Sequence, residues 1–483
     1  MSFDQIPSNL KLPFIRTEFG IKAKATVGTL PWKNLLWGQK LSGGSATANQ
    51  LVRIFKGEQT AKFGSGSMLK HMFDRYFDNN KVDAVWALPL ADNGAGVQAT
   101  GTFVLSGTAT AAGTWRPMIA GRRLTVAVAS GATAATVASA LNTAINADTD
   151  LPVTSGVVTA TVTVTARHKG EAGNAIDLRN NYYTEDALPA GLSCAVTAMS
   201  GGTGNPDITT PLAAIGDEWH QNWAFPWTDS ANVGLVKPDL LARFDANKAI
   251  SSVAYSGAIG NLSTLTTLGD THNNGFFGIV EATGEPFPYY EKAAGLVGAI
   301  SPHALANPAR PFKTLVIKGI LPPLPADQFD STERNSLLTS GISTTIPTPD
   351  GQVAIERLVT TYKKDAQNAP DESFYDPNTA YKLERIRYDW NNYIAARYPR
   401  HIKVSNAHEG KPGLASVSPN TVKGELIIRA KLWEREGWLD DYDQFVKDAS
   451  AVSGGKDRFD VFAFPKLTEQ FQQMATRMDF AVQ

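Results

Sequence analysis

Gly64-Ser65-Gly66-Ser67 stands directly before an apolar helical stripe and has the composition of a phosphate cradle, because exposed backbone N–H groups at a helix N-terminus attract anions. A P-loop also needs its Lys at a fixed distance from the glycines, and a dinucleotide site needs G-x-G-x-x-G; neither spacing is met here. The run therefore predicts a glycine turn into a serine-capped helix. The 7 histidines do not gather at metal-ligand spacing, and His401 and His408 lack the partners of an H-E-x-x-H helix. No G-x-S-x-G elbow presents a nucleophile. Trp219, Trp223 and Trp227 stand four apart, yet Pro226 interrupts any shared helix, so burial in a core is expected rather than ligand stacking. No catalytic, cofactor-binding or metal-binding residue is assigned.

Charge is concentrated differently near the C-terminus. Over 381–400, Leu383, Ile386, Trp390, Tyr393 and Ile394 form an apolar helical stripe, and Lys382, Arg385, Arg387, Arg397 and Arg400 outnumber Glu384 and Asp389 on the rest. Such a face is either simply solvated or a docking surface for an acidic protein.

At 483 residues the chain exceeds what one hydrophobic core sustains, so about three domains are expected. A formal net charge of -1 with only 19% charged residues argues against a generic polyanion binder and against disorder. The single cysteine, Cys194, rules out an internal disulfide and suits a reducing cytosol. The first residues lack both a basic segment and a continuous apolar one, which predicts no secretory signal. The apolar stretch 293–300 is too short for a membrane span and reads as a buried helix ending at Pro302.

The elements that must position any site follow from periodicity. Residues 1–24 show no sustained period and read as an extended arm. A strand at 51–55, a helix carrying Met68, Leu69, Met72, Phe73, Tyr76 and Phe77 on one face, and a strand at 85–88 make a βαβ unit. Between 97 and 203 the composition shifts to Ala, Thr, Gly and Val, predicting an inserted β-rich domain with strands at 124–128 and 157–165. A helix over 133–147 turns Val137, Leu141, Ala144 and Ile145 inward. The α/β rhythm resumes with a strand at 223–225, a helix opened by Pro238, a strand at 252–255, a helix over 262–268 ended by Gly269, and a strand at 276–280. Asp330 with Glu333 predicts a capping box, Gly341 a helix end, and Pro349-Asp350-Gly351 the turn of a β-hairpin. Beyond it come helices at 378–398, 439–449 and near 467–478, strands at 426–432 and 459–464, and an alternating tail at 478–482.

The expected fold is α/β and α+β multidomain: a central α/β sheet domain (25–96 and 204–345) interrupted by an inserted β-rich outer domain (97–203), then a C-terminal α+β domain (346–483), with extended terminal arms.

The run over 333–362 resembles the core motif of contractile-tail sheath proteins of bacteriophages, especially the Mu-like type. Phe63-Gly64-Ser65-Gly66-Ser67, Gly121-Arg122-Arg123, Gly173-Asn174-Ala175-Ile176-Asp177-Leu178-Arg179 and Pro226-Trp227-Thr228-Asp229 carry the same resemblance, in the same order along nearly the whole chain. The resemblance implies a structural subunit, not an enzyme, that polymerises into a helical sleeve around a tail tube and contracts. It implies a tube-facing C-terminal domain, for which Lys382, Arg385, Arg387, Arg397 and Arg400 are the docking candidates. It also implies strand-donating arms, with Phe3, Ile6, Leu10, Phe14, Ile15, Phe480 and Val482 as the inter-subunit candidates. Implied partners are further copies of the chain, the tail tube protein, and baseplate and tail terminator proteins; no cofactor, direct nucleic-acid contact or membrane insertion is implied. The competing readings are an α/β enzyme with a small-molecule site and a surface-array or adhesin protein.

Overall fold

A computed structural model describes residues 30–408 and 415–480. They divide into two compact units, one holding 31–384, 435–440 and 466–480, the other 30, 385–408, 415–434 and 441–465. The arm candidates Phe3, Ile6, Leu10, Phe14, Ile15 and Val482 lie outside the described residues.

The larger unit is built on a nine-stranded sheet. In chain order its elements begin with β1 (Lys33–Gln39), β2 (Val52–Arg53), α1 (Met68–Asn79) and β3 (Ala84–Leu90). In β1, Leu35, Leu36 and Trp37 are all fully buried, the continuous pattern of a strand covered on both faces. β1 and β3 pair in parallel with α1 between them, whereas β2 runs antiparallel to β3. The βαβ unit therefore starts at 33–39, and the expected strand at 51–55 is a short edge piece. Ser67 caps α1 by accepting from the Lys70 N–H, and Asn80 ends it.

Residues 97–203 form a second core. Strands β4 (Gln98–Gly107), β5 (Val153–Val158), β6 (Thr161–Lys169) and β7 (Leu192–Ser200) make an antiparallel sheet in the order β7-β4-β6-β5, with α2 (Ala134–Ala147) against β4, β5 and β6. Alternation decides which face is buried: Phe103, Leu105, Val162 and Val164 meet Val137, Leu141 and Ile145 of α2. The strand expected over 157–165 is a hairpin, because Thr159 takes a positive φ of 55° and turns the chain between β5 and β6.

The sheet resumes with β8 (Asn222–Ala224), α3 (Ser230–Phe244), β9 (Val253–Ala258), α4 (Leu262–Thr271), β10 (Phe277–Glu281) and α5 (Tyr289–Ala306). It closes with β11 (Val316–Ile317), α6 (Ser331–Thr339), β12 (Ile342–Pro347) and β13 (Val353–Arg357), in the order β11-β13-β12-β10-β9-β8-β1-β3-β2. Six adjacent strands, from β12 to β3, are parallel; the antiparallel strands lie at the two sides. The sheet thus runs past residue 345. Two helix limits differ from expectation. α3 opens at Ser230, where Asp229 accepts from the Asn232 N–H, and Pro238 sits inside it. α4 continues through Gly269, where a Cβ would stand 2.2 Å from the Ser340 carbonyl oxygen, so glycine serves close approach rather than termination.

Helix α7 (Asn378–Arg397) follows the expected span. The smaller unit contains α8 (Pro419–Arg435), α9 (Tyr442–Asp448) and a hairpin of β14 (Ser450–Ser453) with β15 (Phe459–Phe462). Residues 426–432, expected as a strand, belong to α8: Val422, Leu426, Ala430 and Trp433 fall on one helical face and are buried together. Residues 468–480, expected as a helix to 478, hold neither helix nor strand. No described helix is long and apolar enough to cross a membrane.

Candidate assembly surfaces

The carboxyl ends of β1 and β8 form the switch point of the parallel sheet, since successive strands leave in opposite directions from it; small ligands commonly bind in such a crevice. Here the chain fills it. The buried Gln39 amide donates to Asp92 Oδ1 and to the Lys169 carbonyl oxygen, both at 2.8 Å. His168 Nδ1 lies 2.7 Å from Asp92 Oδ1, and its Nε2 accepts the Met68 N–H at 3.1 Å. The N-terminal N–H of α1 that could hold a phosphate is thus taken by an imidazole from the 97–203 region. A Cβ on Gly66 would come within 2.5 Å of the Leu151 carbonyl oxygen, so the glycine-rich run is a tight turn under a close neighbour.

The 333–362 run is scaffold at the atomic level. Asp330 Oδ1 accepts from the Glu333 N–H at 2.8 Å and Glu333 Oε2 from the Asp330 N–H at 2.9 Å, the expected capping box. Gly341 has φ +79° and turns α6 into β12, and the turn at Gly351 joins β12 to β13. Behind β12, the fully buried Lys292 ammonium donates to Glu285 at 2.5 Å and to Thr345 Oγ1 at 2.8 Å, while Glu281 accepts from Thr345. Of the three tryptophans, Trp223 and Trp227 are buried, and Trp219 is half-buried with its indole N–H donating to the Ser251 carbonyl oxygen.

The five cationic candidates do not share one solvent face. Lys382 is only 3% exposed, and its ammonium donates to the Thr468 carbonyl oxygen; burial lowers its pKa. Arg385 and Arg387 are half-buried. Arg397 is exposed beside Glu425, 3.4 Å away, and Arg400 is exposed. Glu425 also accepts from Tyr393 and from Tyr398, so the Arg397 end of α7 is tied to α8. A second tie holds the same pair of helices, with Asp389 accepting from Arg429 Nε at 2.9 Å and from the Trp433 indole at 2.7 Å.

Two apolar features were only partly legible in the sequence. In the smaller unit, β14 and β15 form a two-stranded ribbon whose outer edges carry no further strand among the described residues, and it exposes Val452 and 60% of Phe462. Unpaired edges are templates for another strand. In the larger unit, the tail is held at its start: Leu467 bridges Leu439, and Lys313 Nζ donates to the Phe471 carbonyl oxygen at 2.7 Å. From there Phe471, Met474, Met478 and Phe480 project into solvent, Phe480 being 88% exposed. The alternation at 478–482 points to this tail; of the ribbon, the sequence predicts only the second strand, β15, and not β14.

Comparison with known proteins gives these surfaces a context. A phage tail sheath protein beta-sandwich domain matches residues 94–203, and a phage tail sheath protein central domain matches residues 201–361. The chain belongs to the phage tail sheath protein family. It is similar in particular to the Mu-like prophage FluMu tail sheath protein of Haemophilus influenzae, with 35% identity over 99% of both chains. Among solved structures, a sheath tail protein from Desulfitobacterium hafniense aligns with TM-score 0.48 and 13% identity, over 93% of this chain and 96% of that one. A chain of the anti-feeding prophage baseplate in its contracted state aligns with TM-score 0.49 and 10% identity, over 97% and 99%.

Proposed function

We propose that this chain is the repeating subunit of a contractile tail sheath: it polymerises helically around the tail tube and, on a signal from the baseplate, contracts to drive the tube through the host envelope for genome ejection. The similarity to a tail sheath protein along essentially the entire chain carries this reading. Its partners are other copies of itself, the tail tube protein, and baseplate and terminator proteins. It resides in the virion tail after assembly in the bacterial cytoplasm, and contacts neither nucleic acid nor lipid directly.

The filled switch-point crevice supports a structural role over an enzymatic one. So does the pattern of exposed groups, since the apolar tail and the open-edged ribbon suit strand exchange between neighbours, with each arm adding backbone hydrogen bonds to an edge. Head-to-tail contacts of that kind build an open helix. The work of contraction is stored at assembly as the difference between two packings of the same subunits, with no nucleotide consumed. Electron microscopy of the purified chain tests the reading: rods or tubes are expected, and a field of discrete globules overturns it.

A further inference from the structure

We propose that the 97–203 region and the nine-stranded sheet form one rigid body, locked by a cluster of charges around the buried Glu291, and that the glycine-rich flanks joining them are not hinges. By composition those flanks, 91–96 and 200–206, read as flexible linkers. Their backbone is instead fixed. Val97 and Thr203 exchange hydrogen bonds of 2.9 and 3.2 Å, the Asn93 amide donates to the Asn205 carbonyl oxygen at 3.1 Å, and Lys169 Nζ donates to the Gly94 carbonyl oxygen at 2.8 Å.

The lock lies between α1, α5 and, from the 97–203 region, the short strand Arg122–Arg123 and the loop that carries Asp150. Glu291 of α5 is wholly buried. Its Oε2 accepts from Arg75 of α1 at 2.9 Å, and its Oε1 accepts from Arg122 of the 97–203 region at 3.1 Å. Asp150, also from the 97–203 region, reaches the other way. Its Oδ2 accepts from Lys70 of α1 at 2.5 Å, and its carbonyl oxygen lies 2.7 Å from His71 Nε2. Each side therefore lends the other a carboxylate and a cation. Separating them would leave the wholly buried Glu291 with one guanidinium in place of two, which is strongly unfavourable, and the half-exposed Asp150 without its ammonium.

Shape reinforces charge. Gly121, at φ +70°, lies so close to the Phe287 ring that a Cβ there would stand 2.4 Å from it, and the Arg75 guanidinium covers the same ring at 4.6 Å. On the same small sheet as Arg122, Arg179 donates to the Gly284 carbonyl oxygen at 3.2 Å, and the Tyr182 hydroxyl donates to that of Pro322 at 2.9 Å. With Asp150 and His168 held against α1, and Arg122, Arg179 and Tyr182 held against Glu291, Gly284 and Pro322, the joint has no axis about which the 97–203 region can swing. The lock is a property of the single chain and holds whether or not that chain polymerises.

Paired spin labels test it. In the full chain carrying Cys194→Ser, labels at Val158→Cys and Leu241→Cys, both exposed, report the distance across the joint; dilution with unlabelled chain removes signals between copies. A single narrow distance distribution is expected. Arg122→Ala with Asp150→Ala should at least double its width at unchanged circular dichroism. Glu291→Gln, which keeps the side-chain shape, serves if the double variant does not fold and should also broaden the distribution. A broad distribution in the chain with the cluster intact, or a folded variant of unchanged width, overturns the lock.

Discussion

Lys292 Nζ lies 2.5 Å from Glu285 Oε1, both groups sealed behind β12 with Glu281 as a second carboxylate. Burial, with Glu281 adding repulsion, outweighs the attraction of Lys292 and pushes the Glu285 carboxyl up to about 7.

This predicts a particular pH dependence. Folded Glu285 keeps its proton to about pH 7, whereas the unfolded residue loses it near its ordinary value of 4.5. Its contribution to stability is full below that lower value and is lost as pH rises through about 7, a change of up to ~3 kcal/mol. Glu285→Gln removes that slope while leaving Lys292 paired with Glu281. Calorimetry at several pH values between about 5 and 8 should show the Tm of the unsubstituted chain falling relative to that of the variant; parallel curves would refute the assignment. Asp150 and Glu291, held below the usual carboxylate range by their cations against the cost of burial, act in the opposite sense, and their contribution is lost as pH falls through the acid range.

The turn at Gly341 gives a second prediction. Gly341 occupies φ +79° with the Thr360 carbonyl oxygen 3.0 Å from where a Cβ would stand, so Gly341→Ala should cost about 1–3 kcal/mol. Asp330→Ala, which removes the α6 cap, should cost about 1 kcal/mol. Denaturant unfolding checks both, and an Ala at 341 that left stability unchanged would contradict the turn geometry.

Much of this local structure was legible because it rests on near neighbours: the Asp330–Glu333 box, the hairpin at 349–351 and the Ser67 cap each lie within a few residues of what they bind. Strand β1 carries no such local signal, because it is buried on both faces and so lacks alternation. The Leu426-Ile427-Ile428 run read as a strand, but the spacing of Val422, Leu426, Ala430 and Trp433 won once a helix face was there to bury. Lys382 looked exposed because nothing local reveals that the Thr468 carbonyl oxygen covers it. The same distance in sequence hides the cluster joining Arg122 to Glu291.

We propose that docking to the tube falls to Arg397 and Arg400, the two exposed members of the cationic set. Their reversal to Glu should weaken association with an extended tube, most at low salt, while contracted-type self-assembly persists. Lys382→Glu should instead destabilise the fold, since it removes the donor to Thr468 and adds a negative charge near Asp376 and Glu469. Co-sedimentation with tube across a salt series checks the first pair, and unchanged binding would remove them from consideration.

The 97–203 region is proposed to decorate the exterior of the sleeve. Replacing it with a short Gly/Ser linker should lower the Tm, because Phe287 and the first turn of α1 lose their cover, yet leave rods in electron micrographs. A soluble, folded variant that never forms rods would place the region in the lattice.

The arms test the central claim most directly. Helical reconstruction by electron cryo-microscopy of rods from the full chain, alongside chains lacking 1–18 or 479–483, should show terminal segments of one copy continuing the open edges of a neighbour's β14–β15 ribbon. Each truncated chain should stay folded, soluble and unable to form rods. Truncated chains that still assemble and contract as one connected sleeve, or rods whose copies touch only through domain faces, would contradict the account.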